Sequence, residues 1–275
     1  SNNMKLWPHG VVTNCFKWSL DQGETLAAIC QRCEQIGLRY IELRQFSLDC
    51  DPRELTESEL QRHFSAIRES CEDVEFDYAI DIPVLSGCLD SATADINDAV
   101  VIAQTIAGND PPHVRIVDTT TTAQTARAHI DESVKSLVSL ATELKSQGVR
   151  LSVEHAKQNW STFWEVFTSA SHACGDGFLA LCFDPANFAL AEEMHLLADV
   201  ESTLPVELIS MFHVKQSEGP KITTSLGAGD IQWREQFEYL IERGYDQALM
   251  FEMTTSPHIW EELDSAMTQW RGYMS

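Results

Sequence analysis

Basic residues are scarce in this chain: Lys and Arg number 19 against 42 Asp and Glu in 275 residues, a formal charge of −23. A surface of that sign repels phosphate backbones, which argues against nucleic acid as a partner. Long apolar runs are also missing. None approaches the roughly 18 residues of a membrane span, so no membrane partner is expected. No basic segment followed by an apolar one opens the chain, so no secretory signal is read. The balance suits a cytoplasmic protein. Nothing rich in Pro, Gly or Ser and no block of like charge divides the sequence. Residues 1–3, SNN before Met4, read as a cloning scar, leaving 4–275 as one domain.

Hydrophobic residues make up 44% of the chain, enough for a sizeable core that needs no covalent staples. The eight cysteines are irregularly spaced and read as reduced. Cys30 and Cys33 have CxxC spacing, but both fall on the apolar stripe Leu26, Ile29, Cys30, Cys33, Ile36. A redox pair sits at a helix N-terminus, and a zinc site needs two further ligands. Packing is the better reading.

One grammar recurs three times: amphipathic helix, glycine, strand, glutamate. It occurs in CEQIGLRYIELR, LKSQGVRLSVEH and IERGYDQALMFE. Gly37, Gly148 and Gly244 fit helix C-termini. Apolar periodicity predicts strands near 8–13, 38–43, 75–81, 113–118, 149–154, 178–184, 207–213 and 247–252. Helices are predicted near 22–36, 56–71, 93–107, 123–147, 161–173, 194–203, 231–243 and 258–271. Alternating βα units imply a parallel sheet, and this number suggests one closed (β/α)8 TIM barrel. The alternative is a doubly wound open sheet, but no GxGxxG follows the first strand.

The last four strands read VRLSVEH, LALCFDP, LISMFHV and ALMFEMT. Each ends in a residue able to bind metal: Glu154, Asp184, His213 and Glu252. Strand alternation puts each on one face with Ser152, Cys182, Met211 and Met250 respectively. In a barrel, that face points inward and those ends open on the active-site mouth. Three converging carboxylates would repel unless a divalent cation joined them. With His213 they form an O₃N set that suits Mn²⁺, Mg²⁺ or Co²⁺ and admits Zn²⁺. Charged residues also end strands for no reason beyond exposure, so spacing alone leaves coincidence open and names no reaction.

GLRYIELR, LSVEH, FDPANF, FHVKQ, LGAGDIQW and FEM stand in an order that resembles the xylose-isomerase-like superfamily, in particular its sugar isomerase/epimerase branch. The resemblance spans most of the chain and is strongest from Gly148 to Thr254. It implies a metal-dependent isomerase or epimerase of a small, carbohydrate-like substrate. Glu154, Asp184, His213 and Glu252 stand at its four metal-ligand positions. Glu154 and Glu252 also stand where that branch has its acid and base, passing a proton through a metal-bound enediolate. A lyase (dehydratase or decarboxylase) on a keto sugar acid or keto-cyclitol would use the same site. The histidine-rich trinuclear nuclease branch fits poorly, given Asn187 and the acidic charge. Relatives commonly form homodimers or homotetramers.

Three departures from the family pattern stand out. Asn187 replaces a histidine in DPAN, which argues against sugar 3-epimerase activity. Gln216 replaces an aspartate in HVKQ. His155 and Ala156 follow Glu154 where Asn-His is frequent, and His155 is given no role. Lys215, on the inward parity of His213, reads as a substrate clamp or as a solvated lysine. Arg44 reads as a substrate contact or as the partner of Glu42. Asn187 can hydrogen-bond a hydroxyl. Trp18 and Trp160 read as pocket walls or as core. GAGD, residues 227–230, reads as an anion nest or as a helix-entry turn with Asp230 as N-cap.

Overall fold

The structure, a computed structural model, describes residues 7–175, 177–223 and 226–274; residues 1–3 lie outside them. Ten strands form among the described residues. They are β1 (His9–Val12), β2 (Tyr40–Arg44), β3 (Glu75–Asp81), β4 (His113–Val117), β5 (Arg150–Glu154), β6 (Leu179–Phe183), β7 (Ile209–Val214), β8 (Gln216–Glu218), β9 (Lys221–Thr223) and β10 (Ala248–Phe251). Strands β1–β7 and β10 pair in parallel and close into a barrel, with β10 between β7 and β1. Each of the eight predicted strands is present. The short antiparallel hairpin β8–β9 beyond His213 was not anticipated.

The repeated helix–glycine–strand grammar has a single geometric cause. Gly37, Gly148 and Gly244 have φ of +100°, +72° and +72°. The following residue donates its N–H back into the last helical turn: Leu38 to Cys33 at 3.0 Å, Val149 to Leu144 at 2.9 Å and Tyr245 to Leu240 at 3.0 Å. Glycine takes this left-handed turn without a Cβ clash, so each helix ends and its strand begins at a fixed angle.

The helix predicted over 123–147 is two, Ala123–Ala128 and Ile130–Ser146. His129 interrupts it at φ −128°, ψ 32°. Its Nδ1 lies 2.8 Å from the Thr125 carbonyl, so the side chain competes with the helical ladder there.

The apolar core lies between the barrel and its helices, where Leu43, Tyr78, Val153, Phe183, Phe212 and Phe251 face outward. Inside the barrel, among the described residues, a small apolar cluster forms: Val12, Cys182, Met211, Ala248 and Met250. A Cβ on Gly10 would lie 2.0 Å from the Tyr40 carbonyl oxygen, so β1 approaches β2 this closely only through glycine. Much of the remaining interior is polar: Glu42, Asp77, His113, Arg115, Ser152 and His213 are all buried. Polar side chains in such a place need partners, and those partners define the site above them.

Cys30 and Cys33 are buried on the inner face of the helix Leu26–Gln35 and carry no disulfide. Desolvation holds both thiols well above their ordinary range. Both pack in the core between barrel and helices.

Candidate metal centre

Glu154 ends β5, Asp184 follows β6, His213 lies in β7 and Glu252 follows β10. The barrel brings one ligand atom from each within 4.8 Å of the others. His213 Nδ1 is the hub, at 3.7 Å from Glu154 Oε1, 3.6 Å from Asp184 Oδ2 and 3.6 Å from Glu252 Oε2. Those spacings match the edges of a polyhedron whose corners stand roughly 2.0–2.3 Å from a shared cation. His213 Nδ1 and Glu252 Oε2 are buried and make no hydrogen bond, and buried Asp184 Oδ2 meets only the Lys215 ammonium at 2.9 Å and the cluster itself. Buried acceptors left this way are costly unless a cation joins them, so the residues fit a divalent ion.

Three cationic or amide groups brace the cluster. Lys215 Nζ lies 2.9 Å from Asp184 Oδ2 and 3.0 Å from Glu252 Oε1. Asn187 Nδ2 donates to Glu154 Oε1 at 2.8 Å and to the His155 carbonyl at 2.8 Å. Arg115 is fully buried. It donates to Glu154 Oε2 at 2.6 Å, and through Nε and Nη2 to Glu42 Oε1 at 3.1 and 2.5 Å. Glu42 in turn lies 3.6 Å from His213 Nε2. The same nitrogen lies 3.3 Å from Met211 Sδ, so Nδ1 is the one that faces the cluster.

The charges follow from these contacts. Burial alone would raise the Glu154 and Glu42 carboxyls, but Arg115 foremost, then His213, holds both below the usual carboxylate range. Glu252 feels the same burial, offset chiefly by Lys215, and falls to about 2. Burial would lower His213 and Lys215, yet the surrounding acidic groups hold both above their ordinary values. Desolvation, then the Glu42 carboxylate, raises Asp77 well above the usual carboxylate range. With His213 neutral, as an imidazole ligand must be, four carboxylates (Glu42, Glu154, Asp184, Glu252) against Arg115 and Lys215 leave a formal charge of two negative, the charge one divalent cation balances. Cys182 lies close enough to form a second triad with Glu154 and His213. Burial pushes its thiol up to about 12, so the carboxylates are the better ligands.

Above the cluster opens a cavity of about 480 Å³. Its walls include Arg44, Asn187, Lys215, Glu154 and Glu252. Arg44 is therefore at the mouth, but its partner is Asp81 at 2.7 Å. The expected Arg44–Glu42 pair does not form, because Glu42 points deeper, to Arg115. Trp18 is exposed beyond this cavity. Trp160 packs against His155, Phe163 and Phe188 in an aromatic cluster and is absent from the cavity walls. His155 is locked there, its Nε2 2.7 Å from the Gln158 carbonyl.

Gln216 has a structural task. Its amide donates to the carbonyls of Gly227 at 2.6 Å and Ile231 at 2.9 Å, and accepts from Ile231 N at 2.9 Å. Asp230 is not the expected N-cap. Its Oδ2 accepts from Gly219 N at 2.7 Å and Ser217 Oγ at 3.2 Å, and the helix starts at Trp233 with Gln232 before it. The 227–230 turn therefore ties to the hairpin β8–β9.

Arg115, the partner of Glu42, escaped the sequence reading. The available signal was a charged residue in the middle of VRIV, a strand otherwise apolar.

Fold and site together define a (β/α)8 barrel with a buried carboxylate–imidazole centre at the C-terminal ends of its strands. The chain belongs to the xylose isomerase-like TIM barrel family, whose model matches residues 30–270. No curated protein sequence matches it. Among solved structures, D-psicose 3-epimerase from Clostridium cellulolyticum H10, determined with D-tagatose, superposes with a TM-score of 0.70 at 12% identity, covering 98% of this chain and 99% of that one. A xylose isomerase domain protein from Planctomyces limnophilus gives 0.68 at 17% identity, covering 98% of each chain. A xylose isomerase domain protein from Alicyclobacillus acidocaldarius gives 0.69 at 14%, again covering 98% of each. At these identities the likeness speaks for the fold.

Proposed function

We propose that this protein is a divalent-metal-dependent isomerase or epimerase of a small sugar or hydroxy-keto substrate. The observation that carries the reading is the convergence of His213 Nδ1 with oxygens of Glu154, Asp184 and Glu252 at the floor of an open cavity. Family membership and the epimerases among its structural neighbours agree with it.

A bound Mn²⁺, Mg²⁺ or Co²⁺ would supply Lewis acidity, polarising a substrate carbonyl and acidifying the neighbouring C–H. Glu154, Asp184, His213 and Glu252 would hold it. The chain's own groups then divide the proton work. Glu154 and Glu252 are both kept ionised, so either can take a proton from carbon. Lys215, cationic and buried at the cavity wall, meets negative charge developing on a substrate oxygen. Asn187 spends its N–H groups on Glu154 and His155, and its buried Oδ1 has no partner. That oxygen is free to accept a substrate hydroxyl. Arg44 lies at the rim, where it can meet the far end of the substrate. Return of the proton to the opposite face of the same carbon epimerises; return to the adjacent carbon isomerises.

The test is elemental mass spectrometry of the purified protein and of Glu252→Gln. About one Mn, Mg, Co or Zn per chain, falling in the variant, is the expected result. Incubation of the metal-loaded protein with ketoses in D₂O should then label a carbon-bound position. A protein that takes up no divalent ion at millimolar concentration refutes the reading.

A further inference from the structure

A second cavity, of about 490 Å³, adjoins the first. The two share Lys17, Gln45 and Phe46 in their walls. Phe46 is an unusual residue to find there. Its side chain is 56% exposed, and its φ is +70°, a conformation that L residues rarely adopt. The turn that holds it is pinned on both sides. Thr13 Oγ1 donates to the Ser47 carbonyl at 2.9 Å and accepts from Arg44 N at 2.9 Å. Arg53 lies over the Phe46 ring, 5.2 Å from its centroid, and is itself held by both oxygens of Asp95 at 2.9 Å. A large apolar ring is thus fixed in a strained turn between two cavities.

The second cavity also contains a polar group awaiting a partner. Tyr78 is 1% exposed and lines it, and the hydrogen bonds of the described residues include none to its hydroxyl. Burial raises this phenol above its ordinary range, and after burial the groups that act on it most are Cys50, Asp95, Asp98 and Asp51. All four stand with Tyr78 in the wall of the same cavity. The wall carries more carboxylates than cations, which disfavours a phosphate or carboxylate ligand. An aromatic face, a buried hydroxyl and several acceptors are the groups that recognise a neutral polyhydroxylated ring.

We infer that the second cavity is a subsite for a neutral glycosyl unit, so that the substrate is a glycosylated ketose whose reacting end sits over the metal centre. The inference rests on the isomerase reading for the reacting end only. Phe46 packs against the sugar at the junction, and Tyr78 bonds a hydroxyl of the distal ring.

Calorimetric binding to the Mg²⁺-loaded protein tests this with fructose, fructose 6-phosphate and three glucosyl-fructoses of different linkage (turanose, maltulose, isomaltulose). At least one disaccharide should bind about tenfold tighter than fructose. Tyr78→Phe should remove most of that advantage and leave fructose binding unchanged, and Phe46→Ala, at the junction, should weaken the disaccharide by a larger factor than fructose. Equal affinity for fructose and all three disaccharides, tighter binding of fructose 6-phosphate, or variants that weaken every sugar alike would overturn the subsite. Exchange of carbon-bound hydrogen in D₂O separates the two readings. Exchange on fructose without any disaccharide preference sinks the subsite alone. A disaccharide preference that both variants reduce, with no exchange on any sugar, supports the subsite and sinks the isomerase.

Discussion

Arg115 gives the sharpest test of how the metal centre is assembled. Its guanidinium is fully buried and bonded to Glu42 and Glu154, with Glu252 Oε2 at 3.9 Å. Arg115→Met keeps the bulk of the side chain and strips the charge. Two buried carboxylates then lose their strongest partner. Breaking a buried ion pair from one side costs about 3–5 kcal/mol, and for a chain of this size that corresponds to a fall in Tm of roughly 6–20 °C. The formal charge around the cluster goes from two to three negative, so a divalent cation should return more stability to the variant than to the wild type. The assay is thermal unfolding of both proteins in chelator and again with millimolar Mn²⁺. The expected result is a large deficit in chelator that Mn²⁺ narrows. Arg115→Lys should fall between, because one ammonium cannot fork to both carboxylates. A deficit below about 2 °C, or equal gains from Mn²⁺ in both proteins, would refute the reasoning.

Two further predictions concern groups away from the centre. Burial raises the Glu201 carboxyl from 4.5 to about 7, with Gln236 Nε2 donating to it at 2.8 Å. The fold therefore favours its neutral form, a contribution fully present below pH 4.5 and lost as the pH rises through 7. Glu201→Gln should match the wild type in urea near pH 4.5 and exceed it by about 1–3 kcal/mol near pH 8; a difference independent of pH refutes this. For the cysteines, a thiol reagent applied to the native protein should modify exposed Cys88 first and Cys50 and Cys174 more slowly. Cys15, Cys30, Cys33, Cys71 and Cys182, all buried, should react only on unfolding, and rapid native reaction of Cys30 or Cys33 would contradict a packing role.

Much of the architecture was legible in the chain. Strand and helix periods differ, and glycine closes helices for a local steric reason, so the βα units could be read one by one. The hairpin β8–β9 could not, because its three-residue strands carry no periodic pattern. The break at His129 and the loop anchored by Gln216 depend on single side-chain hydrogen bonds, which residue type alone does not specify. Asp230 illustrates the same limit. Aspartate before a helix suits an N-cap, but the hairpin offered its carboxylate two donors instead.

Local pattern and composition were enough for the alternation of strands and helices, the inward parity of Glu154, Asp184, His213 and Glu252, and the acidic surface. These follow from local geometry and composition, which need no partner. Only the closed barrel decided which charges meet. It sent Arg44 to Asp81 and Glu42 to Arg115, because neighbouring strands and the far wall set each side chain's partner, and a linear pattern contains neither. It also left Trp160 in an aromatic cluster while bringing Phe46 to the junction of two cavities. Both outcomes come from how loops fold over the strand ends, which depends on the whole packed structure.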